Sequence, residues 1–443
     1  MYGTKDRDMK RRRSGWLAAS LTGAMLLALV SCGSGGENKN LFSSQEDSSR
    51  VVDLFSPMEK ADPKAENVAR TAADLTVAMA EEALGVTVVY RTYTAADHQD
   101  KTYDEVCLDR ARNDMDDLYL LNPDTIMTLG AEGKLMDLSG LDSAKDLREV
   151  VRTANTVDGK LVAIPQEVVA YGLFLNQTMF DRYELALPET PEEFLECCRV
   201  FQENGIDTPI GANRWWLETF VFAQAYAELY NSGDTEAKIA ALNSGEARYS
   251  DYMRPGFEFL QTLIDRGYID AEKALVSEAI EGEREDFLAQ RTPIVMAYWG
   301  AANTETAYGK TDLELQVIGF PSILGQMPVI SMSGWAVGAE SAHREDAMKV
   351  IDIIASDEAL RIYAETNRVI SPSQNVKVDC VPALQPLKDR IEDGVYVLGS
   401  NAGMKVEQWG NTCLIVRDLL GGATVDECMA AFDALQDESL GLA

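Results

Sequence analysis

Histidine is almost absent. His98 and His343 are the only two in 443 residues, and no HExxH segment occurs. A zinc site built on imidazoles and a Ser-His-Asp relay are therefore poorly supplied. Neither GxxxxGK[ST] nor GxGxxG appears, so the Gly-rich cradles of nucleotide-binding proteins have no support. Cysteine is sparse, and no CxxC spacing occurs. Cys107, Cys197, Cys198, Cys380, Cys413 and Cys428 read mostly as small buried hydrophobes. A Cys413–Cys428 disulfide stays open, because pairing cannot be read from spacing. Basic residues are scarce as well: 40 Lys and Arg stand against 72 Asp and Glu, for a net charge of −32. That balance argues against nucleic acid and against docking on anionic lipid. The Asp114-Met115-Asp116-Asp117 cluster lacks the glycine-bearing loop of an EF-hand and reads as solvated charge. No cofactor or metal is implied, and past residue 50 there is no internal repeat.

One apolar run stands out near the N-terminus. Lys5, Arg7, Lys10, Arg11, Arg12 and Arg13 precede it, and Leu21 to Val30 is almost wholly apolar. This is the charged-then-apolar pattern of an export signal, too short and wrongly flanked for a comfortable membrane span. It ends in Leu29-Val30-Ser31-Cys32, which resembles the bacterial lipobox, whose cysteine is acylated. The expectation is a signal peptide over 1–31, lipidation at Cys32 and a flexible Gly/Ser-rich tether over 32–49. The folded part would then sit on the extracellular face of the cytoplasmic membrane, held by its lipid anchor alone. Twin-arginine export is a weaker alternative for the arginine run.

The remaining chain alternates short apolar β-runs with helical patterns. Strands are expected at 51–55, 86–90 and 117–121, with helices over 63–84 and 101–113. That alternation predicts an α/β fold with a largely parallel sheet. Helices dominate from about 177 to 290. Thr190, Pro191 and Glu193 form a capping box with proline at N1, and Phe194, Leu195, Cys198 and Phe201 share a face. Thr424 and Glu427 form a second box before the stripe Val425, Cys428, Phe432 and Leu435. Further extended runs are expected at 294–298 and 315–321.

Three stretches carry a resemblance. They are "DDLYLLNPDTIMTLGAEGKLMDLSGL", "GKLVAIPQEVVAYGLFLNQTMFDRYELALPETPEEFLECCRVFQENGI" and "GWAVGAESAHREDAMKVIDIIASDEALRIYAE". In this order they resemble the family-1, maltose-binding-like solute-binding proteins of bacterial ABC importers, over nearly the whole chain after the tether. The resemblance implies a two-lobe, periplasmic-binding-protein-like fold (type II) with a ligand cleft between lobes. Lobe one would hold 50–157 plus 322–366, and lobe two 158–321 plus 367–443. Crossings would lie near 155–162, 313–323 and 363–370. It implies a sugar or oligosaccharide ligand, an ABC permease partner and a monomer.

A sugar presents a C–H face to aromatic rings and a hydroxyl rim to carboxylates and amides. Asn122 and Asp124 follow a strand, at the edge where α/β sheets bind ligands. Trp215 and Trp216, Trp299, Trp335, Trp409 and Tyr171 are aromatic candidates at strand ends or loops, each with a core position as its competing reading. Arg214 is a candidate for an acidic sugar, against a plain surface role. Glu59 and Lys60 read better as a solvated loop. The leading expectation is a non-catalytic receptor. The alternatives are the same fold binding a polyamine or other charged solute, which favours several acidic groups among aromatics, and a surface-anchored glycosidase, which needs paired carboxylates across a cleft.

Overall fold

Two β-sheets organise the computed structural model, which describes residues 50–60, 71–98, 101–277, 281–300, 313–379, 381–399 and 403–442. The expected export signal, Cys32 and the tether lie outside those residues, as does Cys380.

The first sheet contains β1 (Arg50–Ser56), β2 (Val86–Thr92), β3 (Leu118–Leu121) and β13 (Gly334–Val337). Their order is β13-β3-β1-β2, parallel except for β13. Helix Ala72–Leu84 starts at a Thr71–Asp74 capping box and stops at Gly85 in the left-handed conformation. The extended backbone of Thr71 caps this helix, and residues 63–70 of the expected helix lie outside the described residues. That helix packs with Arg344–Ile354 and Asp357–Asn367 on one face of the sheet. Helices Tyr103–Arg112 and Pro123–Ala131 cover the other face, around Phe55, Tyr119, Leu121 and Ile126.

The second sheet is built on β6 (Ala170–Asn176). Strand β8 (Ile294–Trp299) pairs along one side of it, and β7 (Ile210–Gly211) follows β8. The other side of β6 is shared end to end by β9 (Leu315–Ile318) and β12 (Val329–Ile330), and β14 (Val397–Leu398) pairs with β12. Gly172 is needed in β6, since a Cβ there would collide with the Ile318 carbonyl. Helices Pro191–Glu203, Leu217–Ala225, Tyr249–Asp265, Trp409–Leu420 and Val425–Leu440 pack on this sheet around Phe194, Phe201, Phe220 and Phe257. Both expected capping boxes form, at Thr190 and at Thr424. Cys107, Cys197, Cys198, Cys413 and Cys428 are buried free thiols, so the structure has no Cys413–Cys428 bridge.

The strand pairing moves the expected crossings. The hairpin β4 (Thr156–Val157) and β5 (Lys160–Leu161) stays with the first lobe, where Val157 packs on Gly130 and the Leu138 N–H donates to the Leu161 carbonyl (2.7 Å). The expected 315–321 run is split into β9 and β10 (Phe320–Ser322), and β10 pairs with β11 (Gly325–Met327). Because β12 pairs with β6, residues 322–330 belong with the second sheet, and the chain passes back only between Ile330 and Gly334. The three passing segments brace one another. Ile164 and Trp335 exchange backbone hydrogen bonds (both 3.0 Å), and the Val168 N–H donates to the Ile370 carbonyl (2.9 Å).

Candidate functional site between the two sheets

A cavity of 560 Å³ lies where the two lobes and the passing segments meet. The first lobe lines it with short polar side chains from two helix starts. Asp104 lies in the first turn of Tyr103–Arg112, and Asp124 in the first turn of Pro123–Ala131 after Pro123 at N1. Helix N-termini favour carboxylates at such positions. The Asp104 carboxylate accepts from Asn122 Nδ2 (3.1 and 3.2 Å) and Thr125 Oγ1 (2.7 Å). Ser333, on a passing segment, donates to Asn122 Oδ1 (3.0 Å). These bonds fix the Asn122 amide between the lobe and the crossing.

The second lobe supplies rings. Tyr171 and Tyr298 are direct cross-strand partners on β6 and β8, with centroids 5.4 Å apart. Trp409 opens the helix Trp409–Leu420 and lies 5.1 Å from Tyr171. Gly399 holds it there: a Cβ would come within 2.5 Å of Trp409 Cζ3. Trp216 stands behind, edge-on to Tyr298 (5.5 Å) and to Tyr171 (6.4 Å), and does not line the cavity.

Four carboxylates line the cavity: Asp104, Asp124, Glu167 and Glu407. No Lys, Arg or His does so among the described residues. Asp124 meets Glu407, which comes from the opposite lobe, and one Asp124 oxygen is sealed from solvent without a donor. Burial, then the facing Glu407, then Asp104 hold the Asp124 carboxyl well above the usual carboxylate range. Two ionised carboxylates are both acceptors, so this contact is a hydrogen bond only when one carries a proton. The Gly410 N–H donates to Glu407 Oε1 (2.5 Å). Beneath the rings, Glu218 is fully buried, with neither oxygen partnered among the described residues, and burial drives its carboxyl strongly upward. Burial also raises the Tyr171 phenol, with Tyr298 and Glu218 adding to the effect.

Of the residues singled out from sequence, Asn122, Asp124, Tyr171 and Trp409 meet in the cavity wall. Trp299 does not. Alternation on β8 turns Tyr298 to the cavity and Trp299 into the core, where its Nε1–H donates to the Arg368 carbonyl (2.9 Å). Trp335 is likewise buried, donating to Gln166 Oε1 (3.2 Å). Both rings bind the passing segments instead of lining the cleft. Trp215 is 41% exposed, with Arg214 and Arg417 over its ring at 4.8 and 5.5 Å, and neither Arg214 nor Trp215 lines the cavity. Sequence reasoning missed Tyr298, Asp104, Glu167 and Glu407. Period-two alternation along 294–299 was the usable signal for Tyr298; the three acids carry none.

Solved structures share this architecture. A family 1 extracellular solute-binding protein from Bifidobacterium longum subsp. infantis matches with a TM-score of 0.69 at 16% identity, over 88% of this chain and 99% of the other. A chitin oligosaccharide binding protein gives 0.69 at 18%, over 89% and 100%. The solute-binding protein RafE in complex with raffinose gives 0.64 at 15%, over 88% and 99%. The fold is thus the two-lobe fold of the maltose-binding-like proteins. Residues 67–360 match the family of bacterial extracellular solute-binding proteins, and the chain belongs to that family.

Proposed function

We propose that this protein is a lipid-anchored receptor that captures a sugar or oligosaccharide in the inter-lobe cavity and hands it to an ABC importer permease, without catalysis. The observation that carries the reading is the cavity itself. It is walled by hydrogen-bonding side chains from one lobe and by Tyr171, Tyr298 and Trp409 from the other. Its 560 Å³ falls within the roughly 300–1,000 Å³ of small-molecule sites. Rings for a C–H face opposite acceptors for a hydroxyl rim is the pairing a saccharide needs. A ligand touching both walls favours the closed arrangement of the lobes by its differential contacts. The names of the chitin-oligosaccharide and raffinose binders add support. The Leu29-Val30-Ser31-Cys32 boundary supports the anchor, and the tether after it gives slack to reach a permease.

The test is thermal unfolding of the soluble form starting after Cys32, against mono- and oligosaccharides. A ligand at a hundred times its Kd adds about 2.7 kcal/mol, enough for a midpoint rise of a degree or more. A selective rise with the saccharide recovered intact is expected. A cleaved saccharide would overturn the receptor reading.

A further inference from the structure

We propose that the solute carries a protonated amine, held jointly by Asp124 of the first lobe and Glu407 of the second, with its ring or chain over Tyr171, Tyr298 and Trp409. The inference rests on the reading of this cavity as the solute site. It begins from the imbalance of the wall: four carboxylates and no cationic side chain among the described residues. Carboxylates do accept from sugar hydroxyls, but then each acceptor wants its own donor. Here one Asp124 oxygen is sealed without one, and its carboxyl touches another acceptor, Glu407, a contact that is a hydrogen bond only while one of the two carries a proton. A neutral hydroxyl brings one proton and no charge. An ammonium brings three donors, no acceptor and a positive charge, and so satisfies both carboxylates at once. The two acids belong to different lobes, so an amine held by both ties the lobes together where they already meet. A divalent cation fits less well, because no group of three or more His, Cys, Asp or Glu side chains is placed to hold a metal ion among the described residues. The aromatic wall suits a cation too, since ring faces attract ammonium groups.

The empty site has its own counterion. Burial and the facing Glu407 and Asp104 keep a proton on Asp124 over a wider pH range than usual. Glu167 on the passing segment and the tyrosines Tyr171 and Tyr298 are the remaining titratable groups of the wall. An incoming ammonium displaces that proton. Amine affinity therefore rises with pH, by up to tenfold per unit, while Asp124 is protonated in the empty site. Neutral-sugar affinity lacks this slope.

The test is calorimetric titration of the detergent-solubilised full chain at pH 5, 6 and 7. The probes are the glucosamine trimer, the N-acetylglucosamine trimer and spermidine. The glucosamine trimer should bind at least tenfold tighter than its N-acetylated partner at pH 7, with proton release visible as a buffer-dependent heat. E407Q and D124N should each cost the amine probe tenfold or more and change the N-acetylated probe by less than threefold. The two variants test the bridge independently should one fail to fold. Equal or tighter binding of the N-acetylated trimer overturns the amine and leaves the sugar receptor standing. Binding of spermidine alone keeps the amine and overturns the sugar. Binding of none of the three, beside a thermal shift with a neutral saccharide, overturns the amine and leaves the sugar receptor standing.

Discussion

The two walls of the cavity are made by different physics. The first lobe builds its wall from helix starts: Asp104, Asn122 and Asp124 sit where backbone N–H groups lack intrahelical partners, and short polar side chains belong there on structural grounds alone. The second lobe builds its wall from a strand pair and one helix entry, and there the rings continue the hydrophobic core to its edge. Tyr171 and Trp409 both pack against that core. The polar wall is thus held by hydrogen bonds that a single substitution can unmake, whereas the aromatic wall is held by packing that extends well behind the surface. The difference predicts that damage behind the walls costs stability and damage on them costs binding.

The largest effect should come from behind the walls. Trp335→Ala removes a side chain that is 1% exposed and bonded to Gln166. Large aromatic truncations in a core cost about 3–5 kcal/mol. A fall of that size in denaturant unfolding is expected for W335A. A loss below 1 kcal/mol would mean that Trp335 faces the cleft after all.

The contrast also explains what could be read from the residues alone. Asn122 and Asp124 were legible because a strand followed by a helix start marks the binding edge of an α/β sheet. The capping boxes at Thr190 and Thr424 were legible because they are local. Of the two readings open for Trp299, the structure has the core one, since Tyr298 faces the cavity and neighbours on a strand cannot face the same way. Strands of two or three residues, such as β11 and β12, are too short to carry a period, so the second crossing was put too early. Glu407 meets Asp124 across 283 positions of sequence, a contact made by tertiary packing that no local pattern announces.

A smaller effect should separate the rings. Trp409→Ala removes a stacking face from the cavity and should weaken saccharide binding by about 2 kcal/mol, roughly thirtyfold in Kd. Trp215→Ala should leave Kd within about threefold, because that ring stands outside the wall between Arg214 and Arg417. Calorimetry on both variants checks the pair. An equal loss in W215A would extend the aromatic wall along helix Trp409–Leu420 and revise its boundary.

The smallest effect concerns the acid under the rings, and its sign is fixed by linkage. Burial raises the Glu218 carboxyl in the folded state. In the unfolded chain it loses its proton near the ordinary value of about 4.3, while the folded chain keeps it. Between those two values the folded state binds more protons, so stability falls as pH rises, by up to about 1.4 kcal/mol per pH unit from this one group. Glu218→Gln keeps the shape and removes the titration. Its gain over the parent should be near zero at pH 4 and grow as pH rises to 6. A gain that stays flat across that range would mean that Glu218 is solvated, and that the aromatic wall is thinner than its packing implies. A growing gain would show why the second lobe can set rings at its surface: the charge that would loosen them is held neutral from behind.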